Sequence, residues 1–145
     1  MQPEFYSYLK AIGLTEALIE RVESIHKFYS DILKIPVEDI FVTDYIEQAG
    51  SRRYESLWFF SASFCMEAKN FVIQDNFDIA ELPNHVTYCR IEKTEYDFIN
   101  ANDKSRLFIH VNTDRGVTCE FKASKENCDF LRKIFLNRLL VAPAQ

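Results

Sequence analysis

Residues 40–60 read IFVTDYIEQAGSRRYESLWFF, and this stretch decides the fold. Ile40, Val42 and Ile46 alternate with Phe41, Thr43 and Tyr45, so a strand here carries apolar side chains on both of its faces. Ala49, Gly50 and Ser51 form a turn, and a second strand follows through Tyr54, Leu57, Trp58, Phe59 and Phe60, which makes an antiparallel hairpin. Neighbouring side chains on a strand point to opposite sides, so Trp58 and Phe60 share one face and Phe59 takes the other. A sheet built on this hairpin must be covered by another element.

The segment before the hairpin supplies a cover. Phe5, Tyr8, Leu9 and Ile12 repeat at helical spacing after Pro3, and Gly13 stands where a left-handed cap is wanted, which predicts a helix over 3–12. Thr15 caps a second helix over 15–35, with Leu18, Val22, Ile25, Tyr29 and Ile32 along one stripe and Pro36 at its close. The stripe is too short for a coiled coil, so the helix is read as docked on the core, with a homodimer seam as the other reading. On that second reading Val22, Ile25 and Tyr29, with Trp58 from the hairpin, are the candidate interaction surface.

Downstream the period of two continues. Strands are expected over 64–72, over a short edge segment at 76–82 that stops at Pro83, and over 85–96, with a loop at 97–105. Leu107, Ile109 and Val111 point one way and His110 the other; Asp114, Arg115 and Gly116 turn the chain, and Val117, Cys119 and Phe121 form the inward side of the next strand. Ser124 reads as the cap of a last helix over 125–141, apolar at Phe130, Leu131, Ile134, Phe135 and Leu139. The expectation is an α+β chain forming one domain over 1–145, a helical extension at 3–36 packed on a seven-stranded antiparallel body at 38–141.

Composition agrees with a packed soluble domain: 48% of the 145 residues are hydrophobic and 27% charged, with thirteen Phe, seven Tyr and one Trp. Residues 1–48 hold nine acidic and four basic side chains, while the remaining residues are balanced, so the whole net charge of −5 sits in the first third. That acidity argues against nucleic-acid binding and against stable membrane association. Without an apolar run of membrane length or a leader-like start, a cytoplasmic location is expected. Cys65, Cys89, Cys119 and Cys128 show no metal-ligand spacing and read as reduced core thiols, so neither metal nor cofactor is expected.

Seven antiparallel strands closed by an amphipathic C-terminal helix resemble the pleckstrin-homology-like (PH-like) superfold over about 70% of the chain. The only Trp is Trp58, in the second strand and not in the last helix, so Phe130 or Phe135 takes the place of the family's helical Trp, which implies a divergent, bacterial member. Two other architectures, nuclear-transport-factor-2-like cones and helix-grip folds, would bring a buried pocket for a small ligand or a reaction. The resemblance implies a non-catalytic binding module with a protein or peptide partner. It also points to Arg52 and Arg53, in the first hairpin, as ligand-binding candidates, although Glu47 and Glu55 stand where basic residues are expected in phosphoinositide-binding members. His26, His85 and His110, and a set formed by His110, Cys89, Glu92 and Cys119, are catalytic candidates only if the fold brings them together; as isolated strand and helix residues they have a simpler structural reading.

Overall fold

The computed structural model describes residues 1–47, 50–81, 86–93, 103–104 as backbone, 106–114 and 116–139. Two helices, α1 (Pro3–Ala11) and α2 (Glu16–Leu33), precede strands β1 (Asp39–Glu47), β2 (Arg52–Phe60), β3 (Phe64–Lys69), β4 (Phe77–Glu81), β5 (Val86–Lys93), β6 (Asp103–Lys104), β7 (Leu107–Thr113) and β8 (Thr118–Ala123). A 3₁₀ turn at Lys125–Asn127 leads into α3 (Cys128–Ile134), which widens into a π turn at Phe135–Leu139. The architecture is α+β, with two antiparallel sheets in place of one continuous barrel: β4-β3-β2-β1, extended by β6, and β5-β7-β8.

The hairpin alternation is realised as read. On one face of the first sheet the Phe59 ring meets His26 and Tyr29 of α2 edge-on, with centroids 5.5 and 5.6 Å apart. On the other face Trp58 and Phe60 meet Phe121 of β8 at 4.6 and 6.5 Å. Thus α2 covers one side and the second sheet the other. Thr15 Oγ1 accepts the Leu18 N–H at 3.3 Å and starts α2 as a side-chain cap. Burial against Phe59 holds the His26 imidazole below its ordinary pKa, so it sits there neutral.

Several boundaries differ from the expectation. The stripe of α2 that is buried consists of Ile19, Val22, Ile25 and Tyr29; Leu18 is half-buried and Ile32, beside Phe77 and Ile79 of β4, is 58% exposed. The last helix is irregular from its first turn, and positions 140–141 lie outside the described residues. Within the expected loop at 97–105, Asp103 and Lys104 form a two-residue strand beside Glu47 and Ile46; the other positions of that loop lie outside the described residues.

Placing carboxylates under the helix tests its role as a cover. Val22 and Ile25 are 0% and 2% exposed, so Val22→Asp combined with Ile25→Asp should cost at least about 5 kcal/mol, the scale of a whole domain's stability. Far-UV circular dichroism and urea titration should show an unfolded or aggregating product. A soluble variant with cooperative unfolding would mean that the helix is not part of the core.

Candidate functional site

Local irregularity in β1 and β2 builds a buried polar centre. Val42 is registered with Leu57 but Asp44 with Tyr54, so β2 carries one extra residue opposite Thr43. The Thr43 hydroxyl spans the defect, accepting the Ser56 N–H at 2.8 Å. Asp44 is completely buried, and its carboxylate accepts the Ser124 N–H at 2.8 Å, the Ser124 hydroxyl at 2.6 Å and the Asn127 amide at 2.9 Å. Asn127 also donates to Val42 O at 2.7 Å and accepts the Tyr8 hydroxyl at 2.9 Å, while that hydroxyl accepts the Val42 N–H at 2.9 Å. Burial raises the Tyr8 phenol well above its ordinary pKa. Ser124 therefore spends its hydroxyl on Asp44, and not on the helix N–H groups that its position before the last helix suggests.

Arg52 belongs to the same centre. Its guanidinium donates to Ile12 O at the end of α1, a carbonyl that also accepts the Tyr54 hydroxyl at 2.8 Å, and pairs with Glu126 at 2.5 Å; its Nε lies 3.6 Å from Asp44. Gly13, with φ +89°, makes this approach possible: a Cβ there would lie 3.1 Å from Arg52 Nη1 and 3.2 Å from the Tyr54 hydroxyl. Arg53 pairs with Glu47 at 2.6 Å, and Glu55 pairs with Lys122 at 3.2 Å. The two arginines are thus each engaged by a carboxylate, while both border one open depression of about 300 Å³ beside Leu18, Asn70 and Ile73. Val22, Ile25, Tyr29 and Trp58, candidates for an interaction surface, are interior residues.

The weighed catalytic set is also split. His110 contacts Glu120 at 3.0 Å and Asn112 at 3.1 Å across the outer face of the second sheet. Cys89 and Cys119 flank Val111 on the opposite, inward face, and Glu92 pairs with Arg90 at 3.4 Å. His26 packs on Phe59 on the α2 side of the first sheet, and His85 lies outside the described residues. Among the described residues, no group of His, Cys, Asp or Glu is placed to hold a metal.

Two of the surface depressions differ sharply in their chemistry. An open polar cleft of about 430 Å³ is lined by Thr43, Glu55, Ser56, Glu67, Lys69, Asn70, Thr118, Glu120 and Lys122. Its polar groups are largely spent on neighbours: Ser56 donates to Glu67 at 2.8 Å, Lys122 pairs with Glu55, and Glu120 engages His110. Burial raises the Glu67 carboxyl above the usual carboxylate range, with the Ser56 hydrogen bond opposing. The second depression is a shallow apolar groove where Phe28, Ile32 and Leu33 of α2 lie beside Phe77 and Ile79 of β4. Phe28 and Phe77 pack at 5.4 Å, yet Phe28, Ile32 and Ile79 stay 51%, 58% and 47% exposed. Among the described residues β4 pairs only with β3, so its outer edge runs along this groove. Sequence reading missed the groove as a site; its signals were Ile32, assigned to the covered stripe, and the edge-strand pattern at 76–82.

No family model, no curated protein and no solved structure matches the chain.

The centre around Asp44 predicts a separation between stability and ligand binding. Asp44→Ala should cost about 3–5 kcal/mol by leaving buried donors unpaired, and Arg52→Ala about 1–3 kcal/mol, both read by urea unfolding. Titration of the native protein with a soluble inositol polyphosphate at low salt should give no saturable binding at micromolar concentrations. Micromolar binding that disappears in Arg52→Ala would instead make Arg52 a ligand residue.

Proposed function

We propose that this chain is a non-catalytic interaction module of PH-like build that binds an extended apolar segment of a protein partner along β4. The consecutive four-strand and three-strand antiparallel sheets followed by a C-terminal helix support the PH-like reading. The filled core supports a binding module over a pocket-bearing cone: Phe41, Phe60 and Phe121, packed together between the two sheets in the space a cone would keep open, are wholly buried. The observation that carries the site is the exposed apolar row Phe28, Ile32 and Ile79 beside a strand edge. An added strand would take main-chain hydrogen bonds from β4, and its alternate side chains would fill the groove against α2.

Selection of the native protein against a displayed random-peptide library tests this. Enriched peptides should carry apolar residues at alternate positions, and Ile79→Lys and Phe28→Glu should each weaken binding at least tenfold while leaving the unfolding midpoint nearly unchanged, since both side chains are half-exposed. Amide shifts of the bound, isotope-labelled protein should concentrate in 77–81. Peptides whose binding survives both substitutions, or that shift residues of the polar cleft instead, would overturn the assignment.

A further inference from the structure

We propose that the segment taken up along β4 is, in the free protein, β4 of a second copy of this chain, the two edges pairing antiparallel about a two-fold axis through Ile79. The inference rests on the reading of β4 as a strand-accepting edge and names its occupant. Such an edge takes an extended stretch with apolar side chains at alternate positions, and β4 is itself one: in Phe77-Asp78-Ile79-Ala80-Glu81, Phe77 and Ile79 both line the groove against α2. Ile79 is registered with Met66, and Met66 with Phe59, so its face is the one that α2 covers. β4 also lacks the devices that keep an edge from pairing with its like: its five pairs with β3 run without a bulge, and it holds no Lys, Arg or Pro. β5, an edge of the other sheet, is guarded by a bulge between Val86 and Tyr88 and by exposed Arg90, Glu92 and Lys93.

Self-pairing must satisfy faces, charges and area at once. With the axis at Ile79, that residue lies opposite its own counterpart, Phe77 opposite Glu81 and Asp78 opposite Ala80, so no like charges meet across the seam although each chain carries a net −5. Directly opposed residues share a face, so both α2 helices fall on one side, and the exposed Phe28 and Ile32 of the two copies flank a single apolar seam. Centring the pair on Asp78 would set carboxylate against carboxylate, and centring it on Ala80 would set Ile79 against Glu81. At roughly 100 Å² for each half-exposed apolar side chain, Phe28, Ile32 and Ile79 bury on the order of 300 Å² per copy before the backbone is counted, well under the ~800 Å² of a standard interface. The pair is therefore weak and reversible: a second copy covers the groove when the protein is concentrated, and a better-fitting strand displaces it.

Sedimentation velocity of the full chain from low micromolar to millimolar concentration tests this, with isotope-filtered NMR on a mixture of labelled and unlabelled chains to read the register. The expected result is a monomer that passes to a dimer and no further, with intermolecular NOEs joining Ile79 to its counterpart and Phe77 to Glu81. Ile79→Lys, which sets two ammonium groups face to face, and Phe28→Glu should each weaken the dimer at least tenfold while the urea midpoint of the dilute protein stays nearly unchanged. A chain that remains monomeric at millimolar concentration, a dimer that survives both substitutions, or NOEs that place another surface at the contact would refute the pairing. The two claims fail separately: a monomeric chain that still binds alternating apolar peptides at 77–81 loses only the second copy, and a dimer with these contacts that no such peptide dissociates loses only the foreign strand.

Discussion

A sheet that is apolar on both faces is the constraint from which the rest of this structure follows. Strands β1, β2 and β3 place Val42, Leu57, Phe59, Met66 and Ala68 on buried positions of one side or the other, together with Phe41, Trp58, Phe60 and Cys65. At roughly 25 cal/mol per Å² of apolar surface, leaving either face in water would forfeit a large part of the folding free energy. The chain meets the requirement with two unlike covers. A second sheet closes the Trp58 side through Phe121, and a helix placed before the first strand closes the Phe59 side.

Those covers come from opposite ends of the chain, and the Asp44 centre ties them together. A buried carboxylate is tolerated only when its hydrogen-bonding capacity is filled, and the donors here arrive from Ser124 and Asn127 at the entry to the last helix. Asn127 passes the connection to Tyr8 of α1, while Arg52 holds the end of α1 and Glu126 at once. The N-terminal helices are therefore joined by polar bonds as well as by packing, so losing them would strand buried donors and acceptors besides exposing aromatic rings.

Periodicity made the covered sheet, the division of Trp58 and Phe60 from Phe59, and the Thr15 cap readable in advance, since each depends on spacing within one element. Features set by long-range partners were not readable. Arg52 and Arg53 are neighbours in a hairpin, and nothing local says that one will reach Ile12 and Glu126 while the other pairs with Glu47. Ser124 has the residue type and position of a helix cap, yet a buried carboxylate 80 positions away in sequence takes its hydroxyl. Ile32 continues the α2 stripe in spacing, but burial depends on how far the sheet extends beneath it. The candidate groove lies where Ile32 and Phe28 meet Phe77 and Ile79, a juxtaposition that only the three-dimensional placement of β4 against α2 defines.

A groove half made of α2 keeps its shape only while that helix is held firmly on the sheet. Native-state hydrogen exchange in low denaturant measures this most directly. The amides of Ile25 and Tyr29 should exchange only through the same global opening as those of Leu57 to Phe59, with opening free energies equal within about 1 kcal/mol. Exchange of α2 through a separate opening several kcal/mol lower, with β1 and β2 still protected, would contradict the account and make the helices a detachable appendage.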